Sequence, residues 1–512
     1  MKNHNNNTQS NDYRICLKLL PIFTIIFIIS LFSIMNPNLT NVPELSYENN
    51  NNQTLKLLVP PRNCKYCEKT LFFTSNLRKN KDDINNHYDI IEYKNKKNYF
   101  VTYYMGDEEY EQYEDLLEQH GVIKSVNAFA DNNFYFSKRS LSLIKKYKDI
   151  MNLNNFKKFY RFFGFQILMK DTLYMSYLEM KKEFNEDYNF MSETYYYPDD
   201  KKIIKEKFGN YSLNINNLWL IKPAHLWGGF GVRIFQSLKD IKLKSFLLNK
   251  YVTNLDLIHN KKYDLRLYIL VTGLKPLRIY FNQEGLIRIA AKKFTLNEEF
   301  IKNRYVHLTN TGVNSINEDF IVPDNTSNEK ANIWNLHMYA NRLKKMNVDY
   351  NELKHKIHDI IIKSIISVYK NLTLEQKLNN LNDINFYDLL GYDIIITKDF
   401  EPILLEINSG PSITYHNQLD KPIKTNLLVD TLNIVGISMF NKNVLLYRNK
   451  KIKNSVEYNV QNAICELNRP RGDYELIFPL KENINKYRKY FKRKNNKENK
   501  MFWNIIQNMD KS

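Results

Sequence analysis

Asp393, Glu406 and Asn408 are residue types that bind a hard cation, and their spacing lets one sheet face present all three. Two runs rich in β-branched residues and leucine, 392–397 and 403–407, flank a turn segment from Lys398 to Pro402 and predict an antiparallel hairpin. Centring the turn between Asp399 and Phe400 sets Asp393 opposite Glu406. Side chains alternate faces along a strand, so one face carries Tyr392, Ile394, Ile396, Ile403, Leu405 and Ile407 as core. The other face ends in Asp393, Glu406 and Asn408. Opposed like charges repel across a ladder unless something neutralises them. Mg²⁺, held by one or two carboxylates and by substrate phosphates, would do so. A one-residue slip would send Glu406 to the opposite face, so the metal reading depends on this register.

The elements upstream must hold whatever meets such a cation. A strand at 218–221 runs into Lys222 and a glycine-rich loop containing Gly228, Gly229 and Gly231, whose backbone N–H groups could surround phosphates. A lysine at the end of a buried strand needs an anion. Residues 261–271 alternate cleanly, with Asp264, Arg266 and Tyr268 on one face and Leu265, Leu267 and Ile269 on the other. Arg278 and Arg288 follow on the next strands, and apolar residues bracket each, which predicts a covered sheet with a polar cleft. His307 reads as structural. Residues 171–184 have helical spacing, 332–370 predict one amphipathic helix, and 420–436 predict a helix carrying Lys424. The tail, 487–512, reads as a basic helix with a solvated or partner-facing surface.

The chain has 512 residues, 74 Lys and Arg against 55 Asp and Glu, and a net charge of +19. That length allows several domains with real cores, and the charge favours an acidic partner. No RNA- or DNA-binding signature accompanies it, so nucleic acid is excluded as the expected partner. The four cysteines, Cys16, Cys64, Cys67 and Cys465, do not make a disulfide scaffold at this length, and a lone Cys64/Cys67 pair is a poor zinc site. The apolar run 19–35 just reaches bilayer-spanning length, and Arg14 and Lys18 precede it, so it predicts a single hydrophobic helix acting as a signal anchor.

Taken together, these stretches resemble the tubulin tyrosine ligase-like family, in particular its glutamylase-type members. The resemblance rests on Trp-Leu-Ile-Lys-Pro at 219–223, Lys-Tyr-Asp-Leu-Arg at 262–266, Pro-Leu-Arg-Ile-Tyr at 276–280, His-Leu-Thr-Asn at 307–310 and Leu-Leu-Glu-Ile-Asn at 404–408. A looser match runs from Lys170 and Asp171 through Glu193, Thr194 and Tyr195 to Pro198. The likeness covers roughly residues 100 to 440.

It implies an α/β (α+β) ATP-grasp fold with an N-terminal mixed α/β domain behind the hydrophobic helix. The expected segments are a tail, anchor and Asn-rich linker at 1–54, an N-terminal domain at 55–198, a central ATP-grasp domain at 199–310, a C-terminal one at 311–440 and a basic extension at 441–512. It implies ATP phosphates at Lys222, Gly228, Gly229 and Gly231, and adenine against Asn249, Lys250, Tyr251 and Val252. Lys262 and Asp264 would lie near ribose and phosphate, with Thr309 and Asn310 beside the nucleotide. Asp393, Glu406 and Asn408 would bind Mg²⁺. Arg288 and Lys424 would face the carboxylates of the incoming amino acid, and Arg266 the reacting phosphate.

The implied activity is ATP-dependent addition of L-glutamate to the acidic C-terminal tails of tubulin through an acyl phosphate, in the cytoplasm on microtubules. A membrane-anchored start is not typical of the family and conflicts with a cytosolic substrate. The chain also departs from the family pattern in lacking basic residues at Gly228 and Phe230, and in carrying Thr311-Gly312 where the family usually has a Tyr-Ser pair against the amino acid. Tyrosine or glycine ligation therefore stays open, as does a non-catalytic microtubule-binding protein.

Overall fold

Leucine, isoleucine and tyrosine recur at nearly every second position of residues 263–289 and 386–396, and these strands are buried on both faces at the centre of the molecule. The structure, a computed structural model, describes residues 54–60, 67–78, 88–94, 101–105, 111–125, 133–136, 158–160, 169–211, 213–226, 228–323, 328–379, 383–438, 455–491 and 497–509. The predicted anchor at 19–35, with the rest of 1–53, lies outside them. No helix among the described residues is long and apolar enough to cross a membrane. Gln53–Ser512 form one compact unit.

The fold is mixed α/β, and the described residues form three sheets. A small antiparallel sheet joins β1 (Thr54–Val59), β2 (Thr70–Leu71) and β3 (Asp89–Lys94). The largest sheet begins with a parallel part made of β4 (Thr102–Met105), β5 (Ile123–Lys124), β6 (Phe134–Phe136) and β7 (Lys158–Tyr160). A separate four-stranded sheet holds β8 (Thr194–Tyr197), β9 (Trp219–Pro223), β10 (Arg233–Ile234) and β11 (Phe246–Lys250) in the order β10-β9-β11-β8. The antiparallel part of the largest sheet follows: β12 (Tyr263–Leu274), β13 (Leu277–Ile289), β14 (Ile333–Asn335), β15 (Phe386–Ile396), β16 (Pro402–Ser409) and β17 (Tyr474–Phe478). β15 is the junction, antiparallel to β12 and β16 and parallel to β7.

The helices that matter for the site are α1 (Glu111–Gln119), α2 (Lys170–Phe184), α3 (Leu336–Lys345), α4 (Tyr350–Asn379), α5 (Asp420–Val435), α6 (Val456–Leu467), α7 (Ile484–Arg488) and α8 (Lys497–Asn508). In α2 the buried residues Leu173, Tyr177 and Met180 follow the predicted spacing. The stretch predicted as one helix from 332 is instead β14 followed by two helices. They part at Asn347, whose φ of 56° ends the first, since a left-handed residue cannot continue a right-handed helix.

The tail keeps an exposed face, with Lys500, Asn504 and Asn508 open to solvent, but its aromatic face is packed inward. Phe502 and Trp503 of α8 are buried, and Trp503 packs edge-on against Phe478 and Phe491. Arg278 does not join the cleft. It is buried and pairs with Glu466 of α6, Nε to Oε1 at 2.8 Å, while Tyr280 Oη donates to the same carboxylate at 2.9 Å. Bracketing by apolar residues marked a covered arginine correctly, but the cover comes from a helix nearly two hundred residues away.

One disulfide joins Cys67 to Cys465 across 398 residues. Cys67 thus meets a distant partner, while Cys64 lies outside the described residues; sequence spacing carries no sign of such a pairing.

Candidate functional site

The hairpin is formed by β15 and β16, and Asp393 opposes Glu406 as the register predicted. The register shifts immediately beside that pair: Ile394 faces Leu404, so Leu405 is the extra residue of a bulge. This corrects the core face. Leu404 is buried, whereas Ile403 and Leu405 are half-buried, because the bulge exchanges faces on the turn side of Glu406.

Three neighbouring strands then carry a continuous polar row. Arg266 of β12 opposes Asp393 of β15, which opposes Glu406 of β16; two residues further along, on the same face, Tyr268, Gly391 and Asn408 align. Across β12, Asp264 opposes Arg288 of β13. Gly391 is required here, because a Cβ on it would meet Pro411 at 2.8 Å and the Arg266 chain at 3.3 Å.

The side chains interlock as the backbone pairing demands. Arg266 donates from Nε to Asp393 Oδ1 at 2.6 Å and from Nη2 to Oδ2 at 3.1 Å. Arg288 Nη2 lies 2.8 Å from Asp393 Oδ2, and Arg288 also grips Asp264 at 2.7 and 2.6 Å. Thr309 Oγ1 donates to Asp264 Oδ2 at 2.5 Å. Burial would raise the pKa of Asp393, but Arg266 and Arg288 outweigh it and hold the carboxyl well below the usual range. Asn408 Nδ2 reaches Glu406 Oε1 at 3.2 Å and Asp393 Oδ2 at 3.4 Å.

Among the described residues no three His, Cys, Asp or Glu side chains converge as a metal cluster. A cation here would take two carboxylates and the Asn408 amide, turned to present its oxygen, and leave its other positions to phosphate oxygens or water. That donor set fits Mg²⁺.

Beside the row, Lys222, Asn249, Leu405, Glu406 and Asn408 line one pocket together with Lys170. Burial lowers the Lys222 pKa to about 8, with Glu406 pulling the other way. Asn249 Nδ2 donates to Thr194 Oγ1 at 2.5 Å, and its Oδ1 is buried with no hydrogen-bond partner among the described residues. A ligand N–H would satisfy that acceptor. Lys250 points outward and Val252 is half-buried, so of this segment Asn249 and the Tyr251 ring lie inward. Lys262 Nζ sits 4.7 Å from the centre of the Tyr251 ring, and burial lowers its pKa to about 8, opposed by Asp264. His307 meets Tyr251 Oη at 3.0 Å and is held neutral by burial, with a pKa of about 4, in keeping with a structural role.

The glycine loop lies between β9 and β10 as predicted. Gly228, Gly229 and Gly231 have φ of 65°, 75° and 72°, a conformation that side chains resist. A Cβ on Gly229 would stand 2.8 Å from Asn310 Oδ1, so the loop closes directly onto the Thr309–Asn310 corner. Lys424, buried one turn into α5, is bound to Asp420 Oδ2 at 2.9 Å and to Thr414 O at 2.7 Å. Burial lowers its pKa, Asp420 opposing.

Sequence reasoning assigned no role to Lys170. Its Nζ donates to Leu226 O at 2.6 Å and lies 3.8 Å from Glu406 Oε2, which ties α2 to the Glu406 carboxylate. The available signal was a cation at the first residue of a helix, where the macrodipole disfavours it.

A mixed α/β fold that interlocks lysines, arginines, carboxylates and a glycine loop around a hairpin defines a protein built to handle anionic ligands. The tubulin-tyrosine ligase family model matches residues 147–444, over half of the chain, and the chain belongs to that family. It is 29% identical over 280 residues to a tubulin monoglutamylase of Mus musculus, covering 54% of this chain and 23% of that protein. It is 31% identical over 277 residues to a tubulin polyglutamylase of Caenorhabditis briggsae, covering 54% and 45%. A further tubulin polyglutamylase of Mus musculus is 28% identical over 326 residues, covering 63% and 24%. The chain spans less than half the length of these relatives.

Proposed function

We propose that the protein is an ATP-dependent carboxylate–amine ligase that adds glutamate to the acidic C-terminal tails of tubulin. The observation that carries this reading is the opposed Asp393–Glu406 pair, with Asn408 beside it and Arg266 and Arg288 behind it, in a chain of this family. On this reading the described sheets belong to an ATP-grasp fold, with working divisions at 55–198, 199–310, 311–440 and 441–512.

A carboxylate at neutral pH is a poor acyl donor, so activation by ATP is the hard step. The acceptor carboxylate attacks the γ-phosphate, ADP leaves, and the amine of free glutamate displaces phosphate from the acyl phosphate. Phosphoryl transfer asks the protein for positioning and charge stabilisation, which explains a site without a nucleophilic Ser or Cys. Asn249 Oδ1 accepts from the adenine amine, with Tyr251 and Val252 beside the base. Lys222, the 228–231 loop and Asn310 hold phosphates, and Lys262, Asp264 and Thr309 order the ribose side. Asp393, Glu406 and Asn408 would hold Mg²⁺, which would neutralise phosphate charge. Arg266 steadies the transferring phosphoryl group, and Arg288 and Lys424 face the donor's carboxylates. The net charge of +19 suits an acidic tubulin tail, and the activity operates on microtubules in the cytoplasm.

The test is mass spectrometry of tubulin tails after incubation with the full chain, ATP, Mg²⁺ and mixed amino acids. Glutamate adducts are expected. Tyrosine or glycine adducts would reassign the donor, and tubulin binding without any adduct would leave a non-catalytic binder. Glu406→Gln should cut transfer by about 100-fold or more with the circular dichroism spectrum unchanged; full activity would remove Glu406 from the site.

A further inference from the structure

A cavity of about 790 Å³ opens beside Lys424, and one of its walls is the segment 74–77. That wall and α1 opposite it precede the family-matched residues. The strap from Cys67 to Arg78 is fastened along α5, the helix that carries Lys424. Leu71 N donates to Ile437 O at 2.9 Å, Phe73 exchanges two hydrogen bonds with the Asn433 amide at 2.9 and 3.0 Å, and Arg78 binds Asp430 at 2.5 Å. The one covalent fastening is Cys67–Cys465. Its far end is enclosed, since Cys465 is buried next to Glu466, the partner of Arg278. Its near end, Cys67, is half-buried.

We propose that Cys67–Cys465 is a redox clamp that sets the wall of the cavity beside Lys424, so that thiol–disulfide exchange governs access for the acceptor peptide. In the exchange, a thiolate of a dithiol reductant attacks Cys67 Sγ and the Cys465 thiolate departs and takes a proton. The second thiol of the reductant then displaces Cys67 as a thiol, leaving the reductant as a disulfide. Two electrons and two protons pass to the protein. The acceptor part of this inference rests on the ligase reading, and so does the regulatory part: in a reducing cytosol a disulfide acts as a transient sensor and not as a permanent staple.

Alkylation of the full chain before and after dithiothreitol, with peptide mapping, comes first; Cys67 and Cys465 alkylating fully without reductant would end the proposal. Hydrogen exchange should then rise roughly tenfold across 70–78 on reduction, with 263–289 and 386–409 unchanged. Cys67→Ser should show the faster exchange without reductant and no response to it. Unchanged exchange at 70–78, or loosening that spreads equally through the sheet, would overturn the clamp. If tubulin ligation is observed, reduction should shift the KM for tubulin several-fold and leave that for ATP unmoved. A chain that ligates nothing would sink the ligase reading, while the alkylation and exchange results would still decide the clamp.

Discussion

Lys222 and Lys262 are buried enough to lower both pKa values to about 8, against an ordinary lysine value of 10.5. A depressed lysine is charged in the unfolded chain and neutral in the folded one between those values, so the free protein should gain stability as pH rises through that window. Phosphate oxygens favour the ammonium form, so if these lysines hold phosphate as proposed, nucleotide binding works in the opposite direction and takes up protons. On that reading ATP affinity should be full below pH 8 and fall above it, approaching about tenfold per pH unit for each lysine that must be recharged. Calorimetry in buffers of different ionisation enthalpy at pH 8–9 should detect the proton uptake. Asp393 behaves differently, since the two arginines keep it charged throughout this range.

At the scale of elements, the bulge at Leu405 lets one strand serve two needs. It keeps Leu404 in the core and Glu406 on the polar row, while Leu405 turns toward the pocket shared with Lys222 and Asn249. The C-terminal helices are equally part of the machine. Glu466 is the sole carboxylate hydrogen-bonded to the buried Arg278 guanidinium among the described residues. Glu466→Ala should cost about 3–5 kcal/mol, because it leaves a buried cation unpaired. Urea unfolding would measure this; a change under 1 kcal/mol would mean that solvent reaches Arg278 after all.

For the whole molecule the governing quantity is charge. A basic surface meeting an acidic tail gains on-rate more than residence time, and exposed charges are screened beyond about 10 Å at 0.1 M salt. Raising salt from about 0.05 to 0.2 M should lift the KM for tubulin several-fold and change kcat little. Steady-state kinetics across that range would check it, and an unchanged KM would point to contacts that are not electrostatic.

Local chemistry made the hairpin, the Asp393–Glu406 pairing, the 228–231 loop and the Lys424 helix legible in the sequence, because alternation, turn residues and helical spacing act over a few residues. It also marked Arg266, Arg288 and Asp264 as lying on strand faces. Only the tertiary structure decided which of these groups are already neutralised, that Arg278 belongs to Glu466, that Lys170 reaches Glu406, and that Cys67 finds Cys465. Each of those contacts joins segments tens to hundreds of residues apart, and pairing at that distance is set by how sheets and helices pack, which no short window of residues encodes.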